Sequence, residues 1–345
     1  MQTTINEHDF CSLFNNNWLS IDSHTAGEST RVILGYPAVP GETINAKRQY
    51  LIDHADSLRQ LLTREPRGSR EVIGVLITEP VTPGAACGLI YMDARRYPYL
   101  CGHGTIGAVT TLLETGFLQA SGEVTNLRLD TPSGPVDATA YMEGRKVTSV
   151  AIRMVPSFVY RTDQMLDVPG LGKLRTDLVC TGGFFVMVDK DEAGGINLTP
   201  ENAPALIRAG MDIIAAANEQ FQVQHPTQPH VTTIDVAEFY DSSGHSSRRG
   251  RNAVIYGESH IDRSPCGTGT CAKLALLHHH GALQPGEDFT NEGILGTTFG
   301  AKIVEVVKVG PYPATVVEIR GSAHLTGYHR FVLDDSDPFP NGFLI

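Results

Sequence analysis

An α/β chain built from two copies of one unit is what the sequence predicts, and three observations carry that reading. A Cys-Gly-x-Gly-Thr motif occurs twice, in CGHGTIGAVTTLLETGFL from Cys101 and CGTGTCAKLALLHHHGAL from Cys266, 165 residues further on. Past the motif the two stretches agree again at Leu112/Leu277, Gly116/Gly281 and Leu118/Leu283. A Thr-[Ala/Gly]-Gly turn leads each motif, HTAG at 24–27 by 77 residues and CTGG at 180–183 by 86. The third observation is order: strands, then a helix directly after the cysteine, then strands, traversed once in each half.

Taken along the chain, apolar residues flank the Thr-Ala-Gly turn of WLSIDSHTAGESTRVILGYP. EVIGVLITEPV and ACGLIYMD are short, rich in Val, Ile and Leu, and bounded by Gly and Pro, which predicts strands. The helix after Cys101 should end near Gly116, a C-cap residue. NLRLDTPSGPVDATAYMEGRKVTSVAIRMVPSFV then returns to strands through a Ser-Gly-Pro and a Glu-Gly turn. From about residue 155 the second half repeats this, with strand-like TDLVCTGGFFVMVD and a helical run in NAPALIRAGMDIIAAANEQF. Strands HVTTIDVAEFYD and RNAVIYGE follow, then the helix after Cys266, then strands AKIVEVVKV and ATVVEIRGSAHLTGYHRFVL. The polar DSSGHSSRRGR at 241–251 reads as a surface loop. The expected division is 1–154 carrying Cys101 and 155–325 carrying Cys266, with 326–345 packing back onto the first half.

A length of 345 residues suits two domains, and 41% hydrophobic with 19% charged residues is ordinary globular composition. The net charge of −11 excludes nucleic acid and anionic membranes as expected partners, since both require a basic surface. No run reaches the ~18 apolar residues of a membrane span. MQTTINEHDFCSLFNNNW has neither a basic n-region nor an apolar h-region, so the expected location is the cytoplasm. Six cysteines, Cys11, Cys87, Cys101, Cys180, Cys266 and Cys271, are too thinly spread for a disulfide scaffold. No CxxC occurs, and the consecutive His278, His279 and His280 diverge on a helix rather than converge on an ion, so no metal is expected.

The chemistry rests with the repeated motif. A helix N-terminus offers unpaired amides and a partial positive charge. This predicts a lowered cysteine pKa and a ready site for a carboxylate, which the glycines allow to approach closely. Taken singly, each motif reads equally well as a tight strand–helix turn whose buried thiol acts as a small hydrophobe. In a duplicated chain packed about a pseudo-twofold axis, both helix starts face one cleft, with a sulfur on either side of one substrate. Stereoinversion needs that: one thiolate removes a proton from Cα while the opposing thiol delivers one to the other face. Amides clamping the carboxylate would stabilise the charge that develops. Asp262 either binds a substrate amine or orders the DRSP turn. His103 either hydrogen-bonds the substrate or steadies its own turn, and His24 reads as structural. The glycine motifs lack GxGxxG spacing, so no nicotinamide or pyridoxal cofactor is expected. Two other classes compete: a redox protein bridging Cys101 to Cys266, and a non-catalytic amino-acid-binding protein.

At these residues the sequence resembles the proline racemase family, through CGHGTIG and DRSPCGTGT and through IDSHTAGESTRV, EPRG, TEPVTPGAACGLIYMD, QHPTQPHVTTIDVAEFYD, GILGTTFGAKI and GSAHLTGYHRFVLDDSDP. The resemblance implies a diaminopimelate epimerase-like α+β fold, two pseudo-symmetric halves each with a barrel-like sheet around a central helix. It implies that Cys101 and Cys266 are the paired acid and base, without a cofactor. Gly102, His103, Gly267 and Thr268 would hold the carboxylate, with Asp262 near the ring nitrogen. Dehydratases of trans-3-hydroxyproline in the family usually lack one cysteine, so both being present favours an isomerase. Many 4-hydroxyproline epimerases carry a His near Val236, which favours proline over that alternative. Cys271 stands where relatives often have Ser and is expected to pack. The expected partner is a small molecule, proline or hydroxyproline, with a homodimer as the allowed assembly.

Overall fold

The computed structural model describes residues 14, 16–243, 248–257 and 259–345, so Cys11 and part of the polar 241–251 loop lie outside the described residues. β1 (Asn16–Thr25) and β2 (Glu28–Leu34) form a hairpin closed by Ala26 and Gly27, both at positive φ (53° and 100°). That geometry is the two-residue turn that matches strand twist. Gly27 has a second reason to be glycine: a Cβ there would stand 2.6 Å from Leu295 Cδ1.

The first half continues with α1 (Ile44–His54), α2 (Asp56–Thr63), β3 (Ile73–Thr78), β4 (Cys87–Met92), α3 (Gly102–Glu114), β5 (Val124–Thr131), β6 (Gly134–Glu143) and β7 (Lys146–Arg153). The second runs β8 (Phe158–Val168), β9 (Gly172–Cys180), β10 (Phe184–Asp189), α4 (Ala203–Gln220), β11 (Ile234–Asp241), β12 (Arg249–Tyr256), β13 (His260–Ile261) and α5 (Gly267–His279). It closes with β14 (Asp288–Glu292), β15 (Thr298–Val309), β16 (Tyr312–Gly321) and β17 (Ala323–Leu333).

Pairing repeats from half to half. β2 lies parallel to β3 as β10 does to β11, and each second strand then pairs antiparallel with the next, β4 or β12. After the central helix, β4 lies parallel to β5 as β12 does to β14, and three-stranded meanders β5–β6–β7 and β14–β15–β16 follow. β7 and β16 pair antiparallel, fusing the two meanders. β8 then pairs with β9, whereas β17 returns to pair with β1 over its whole length.

α3 and α5 are the two central helices. Twelve of the thirteen α3 residues are buried, and in α5 only Thr268, His278 and His279 are not. A helix without a polar stripe must be enclosed on all sides. One core joins Ile106, Val109 and Leu112 of α3 to Cys271, Leu274 and Leu277 of α5, together with Ile152, Val317 and Ile319 from the fused meanders. A second gathers around α4.

The expected strands and central helices are present, and Gly116 follows α3 at φ 79°. Two stretches differ in detail: TDLVCTGGFFVMVD is two strands turning at Gly182, and ATVVEIRGSAHLTGYHRFVL is β16 and β17. α1 and α2 were not among the expected elements, although Thr43 caps α1 by accepting the Ala46 N–H at 3.0 Å. No described helix is long and apolar enough to cross a membrane.

Candidate active site

Each cysteine is the N-cap of its central helix, Cys101 for α3 and Cys266 for α5. The fifth residue of the motif ties the turn shut. Thr105 Oγ1 donates to Cys101 O at 2.7 Å, and Thr270 Oγ1 donates to Pro265 O at 3.2 Å. The glycines in second place set how close the helices come: a Cβ on Gly102 would lie 3.2 Å from Gly267 Cα, and the converse distance is also 3.2 Å. Ile319 Cδ1 and Met154 Cε close over both positions. The helix starts are therefore seated against each other, with room for no side chain between them.

The ladders begin at Thr105 N to Cys101 O and Thr270 N to Cys266 O, at 3.0 and 2.8 Å. The amides of Gly102, His103, Gly267 and Thr268 precede them, which makes them donors for a ligand. A cavity of about 280 Å³ lies over this junction. Cys101, Gly102, His103, Asp262, Cys266, Gly267 and Thr268 all line it, as does Val236, whereas His24 and Cys271 do not. Its size sits at the small end of the ~300–1,000 Å³ typical of ligand pockets. A larger space of about 440 Å³, edged by Arg70, Arg96 and His260, adjoins it across Tyr256 and Asp235.

The two thiols sit in unlike surroundings. Cys101 is half-buried, with Sγ 3.5 Å from His103 Nδ1 and an ordinary extended backbone. Burial opposes a charge on His103, but Cys101, then Asp262 and Glu28, outweigh it and hold its pKa up at about 10. His103 thus presents a positive charge to the Cys101 sulfur. Cys266 is buried and sits at φ 57°, a left-handed conformation that a non-glycine residue adopts at a cost of ~1–3 kcal/mol. Its Sγ accepts the Gly269 N–H at 3.3 Å and lies 3.4 Å from Thr268 Oγ1. The helix-terminus expectation of a lowered pKa fails at Cys266: burial, then the Asp262 charge, push this thiol well up. Both cysteines are free, without a bridge between them.

Asp262 serves the turn and the cavity together. Its Oδ1 accepts Ser264 N at 2.8 Å and Ser264 Oγ at 2.7 Å, and Ser264 Oγ in turn accepts Cys266 N at 3.1 Å. Burial, then Glu28, raise its pKa, so a cationic ligand group beside it would be welcome. His24 Nδ1 accepts the Gly27 N–H at 3.3 Å inside the first hairpin. Cys271 is fully buried within the shared core. Among the described residues no cluster of three or more His, Cys, Asp or Glu is arranged for a metal.

Three charged residues near the site gave no sequence signal. Glu28, fully buried, accepts Arg263 N at 2.7 Å and lies 3.4 Å from His260 Nε2. Behind α5, buried Lys273 donates to Asn291 Oδ1 at 2.8 Å and stands 4.0 Å from buried Glu238. Glu28 opens β2, Glu238 lies in β11 and Lys273 in α5, and their burial is legible only once the chain is folded.

A proline racemase family model matches residues 20–344. The proline racemase of Clostridioides difficile is 40% identical over 333 residues, covering 96% of this chain and 99% of the relative. The 4-hydroxyproline 2-epimerase of Streptosporangium roseum is 38% identical over 327 residues, covering 94% of this chain and 98% of the relative. A solved hydroxyproline epimerase from Agrobacterium vitis, with bound trans-4-hydroxy-L-proline, superposes with a TM-score of 0.90 at 30% identity, covering 96% of each chain. The α+β fold expected for the chain is therefore shared with enzymes of this kind.

Proposed function

We propose that this chain, which belongs to the proline racemase family, interconverts L- and D-proline by proton transfer between two thiols. The observation that supports this most is the junction of the two helix starts. Cys101 and Cys266 face one small cavity from equivalent positions, and their neighbouring glycines are packed backbone to backbone.

A substrate carboxylate placed over the junction receives the amides of Gly102, His103, Gly267 and Thr268 and the positive ends of both helices. Its Cα then lies between the sulfurs, and Asp262 faces the ring nitrogen. Charge moving onto the carboxylate as the α-proton leaves meets donors already in place. In the resting state Cys101, beside charged His103, is the base, and Cys266, a buried thiol, is the acid. One enantiomer is deprotonated at Cys101 and reprotonated from Cys266. The protein is left with the roles exchanged and ready for the other enantiomer, so the titration belongs to the pair.

Val236 gives the cavity an apolar wall, which suits an unsubstituted ring better than a hydroxylated one. Epimerisation of 4-hydroxyproline is the second reading, supported by the similarity to the two epimerases. Incubation in D₂O with proline and each hydroxyproline isomer separates the readings. Proline should exchange its α-hydrogen and lose optical rotation. Exchange confined to 4-hydroxyproline would transfer the assignment to the epimerase, and a pyrroline product from 3-hydroxyproline would transfer it to a dehydratase.

A further inference from the structure

The Ala26–Gly27 turn of the first hairpin touches both cysteine loops at once. On one side Thr25 Oγ1 donates to His103 O at 2.9 Å, and β2 presses on α3 so closely that a Cβ on Gly107 would lie 2.8 Å from Thr30 Oγ1. On the other, Glu28 accepts the backbone N–H of Arg263, next to Asp262, at 2.7 Å, and its guanidinium at 3.2 Å. Thr297 Oγ1 donates to Ala26 O at 2.8 Å, so a third loop is fastened to the same turn. Thr25 and Glu28, on either side of the turn, thus each bond to one of the two thiol-bearing loops. The Glu28 carboxylate is completely buried.

A buried carboxylate needs more than one bond, because its desolvation is severe. Arg263 supplies a charge from one side and His260, at 3.4 Å, lies on another. Burial works to raise the Glu28 pKa, but His260, then His103 and Arg263, outweigh it and hold it low. The groups facing His103 are Cys101 on its own loop, Asp262 from the loop across the cavity and Glu28 from the hairpin. Those facing Glu28 are His260, Arg263, His103, Asp262 and Tyr256. Of the carboxylates in this set, Asp262 is pushed towards its neutral form and Glu28 towards its charged form.

We propose that Glu28 is a positioning residue of the two-thiol site. It pins the Asp262–Cys266 loop to the first hairpin through Arg263, and adds a buried negative charge to those of Cys101 and Asp262 around His103. This rests on the two-thiol reading for its consequence in turnover, but its direct readout is the His103 ring and needs no substrate.

The experiment follows His103 by NMR of ring-labelled histidine, assigned by loss of its signal in His103→Asn, in wild type, Glu28→Gln and Arg263→Gln. Glu28→Gln keeps an acceptor for Arg263 N but removes the charge. It should lower the His103 titration midpoint, by less than the larger contributions of Cys101 and Asp262. The alkaline limb of proline exchange should move down with it, kcat falling ~10-fold while KM changes little. Arg263→Gln removes the countercharge at a partly exposed site and should move the midpoint upward. An unmoved midpoint in Glu28→Gln, or one that is unmoved or falls in Arg263→Gln, overturns the proposal. If Glu28→Gln does not fold, the sign of the shift in Arg263→Gln decides alone. If wild type exchanges neither proline nor hydroxyproline, the functional reading fails while the NMR result still judges Glu28.

Discussion

Adding one methyl group at Gly267 tests how the site is assembled. An alanine Cβ there would stand 2.8 Å from Ile319 Cδ1, 3.2 Å from Gly102 Cα and 3.7 Å from Met154 Cε. Carbon atoms rest at ~3.5–4.0 Å, so the first two contacts fall short by about 0.7 and 0.3 Å. The Ile319 terminus can turn only within a fully buried core, and Gly102 Cα is backbone that cannot turn at all. Overpacking of this kind costs ~1–3 kcal/mol. Helix propensity pulls the other way, since alanine in a helix is favoured over glycine by up to ~1 kcal/mol. Packing wins, and Gly267→Ala should lose about 1–2 kcal/mol in urea unfolding. The strain is relieved by α5 moving a few tenths of an ångström from α3, carrying Cys266 with it. Misplacement of ~1 Å costs ~10²-fold in rate, so proline α-hydrogen exchange should fall several-fold to ~10-fold. Ile319→Val removes the Cδ1 obstacle, and the double variant should recover part of the stability with a favourable coupling. Equal or greater stability in Gly267→Ala, with exchange unchanged, would refute the contact between the helix starts.

Cys101→Ser and Cys266→Ser should each abolish racemisation, because a serine hydroxyl is too weak an acid to replace either thiol; near-normal turnover in one of them, measured by polarimetry, defeats the two-base reading. Below a pH of about 10 His103 carries its proton and presents a positive charge to a carboxylate in the cavity, so exchange should decline as pH rises through that value and that charge is lost. His103→Asn should lose that alkaline limb along with most of the rate. Lys273→Met leaves Glu238 buried without its cation, a loss of ~3–5 kcal/mol when the carboxylate is charged. Glu238 already has its pKa pushed up to about 7, chiefly by burial, so protonation relieves the variant in acid. Its deficit in urea unfolding should grow from pH 6 to pH 8.5, and a deficit independent of pH would contradict the pairing.

The repeated motif made the central helices, the paired cysteines and the shared cleft legible, because a cysteine–glycine turn into an apolar helix is written in consecutive residues. Strand order within each half was legible for the same reason. What stayed hidden depends on residues distant in sequence. Glu28 looks like an ordinary hairpin carboxylate until Arg263 and His260 close over it. Nothing in the neighbouring sequence marks Lys273 or Glu238 as buried, although both are. The acidity of Cys266 was misjudged because a helix terminus acts locally, whereas the burial that overrides it comes from the whole fold. α1 and α2 passed unnoticed because their apolar residues are interrupted by Lys47, Arg48 and Arg59, and Lys47 and Arg59 turn out to be buried.

The return of β17 to β1 has a consequence for the birth of the protein. Trp18 lies opposite Phe331 and Asn16 opposite Leu333. The core around α3 also draws on Val317, Ile319 and Ala323. A ribosome making this chain therefore releases the first cysteine helix long before the wall that encloses it exists. Until the final segment emerges, β1 presents an open edge on that side, a template for any other extended chain. The half that is made first is the half that is finished last, and Cys101 must wait for β17 before its surroundings are complete.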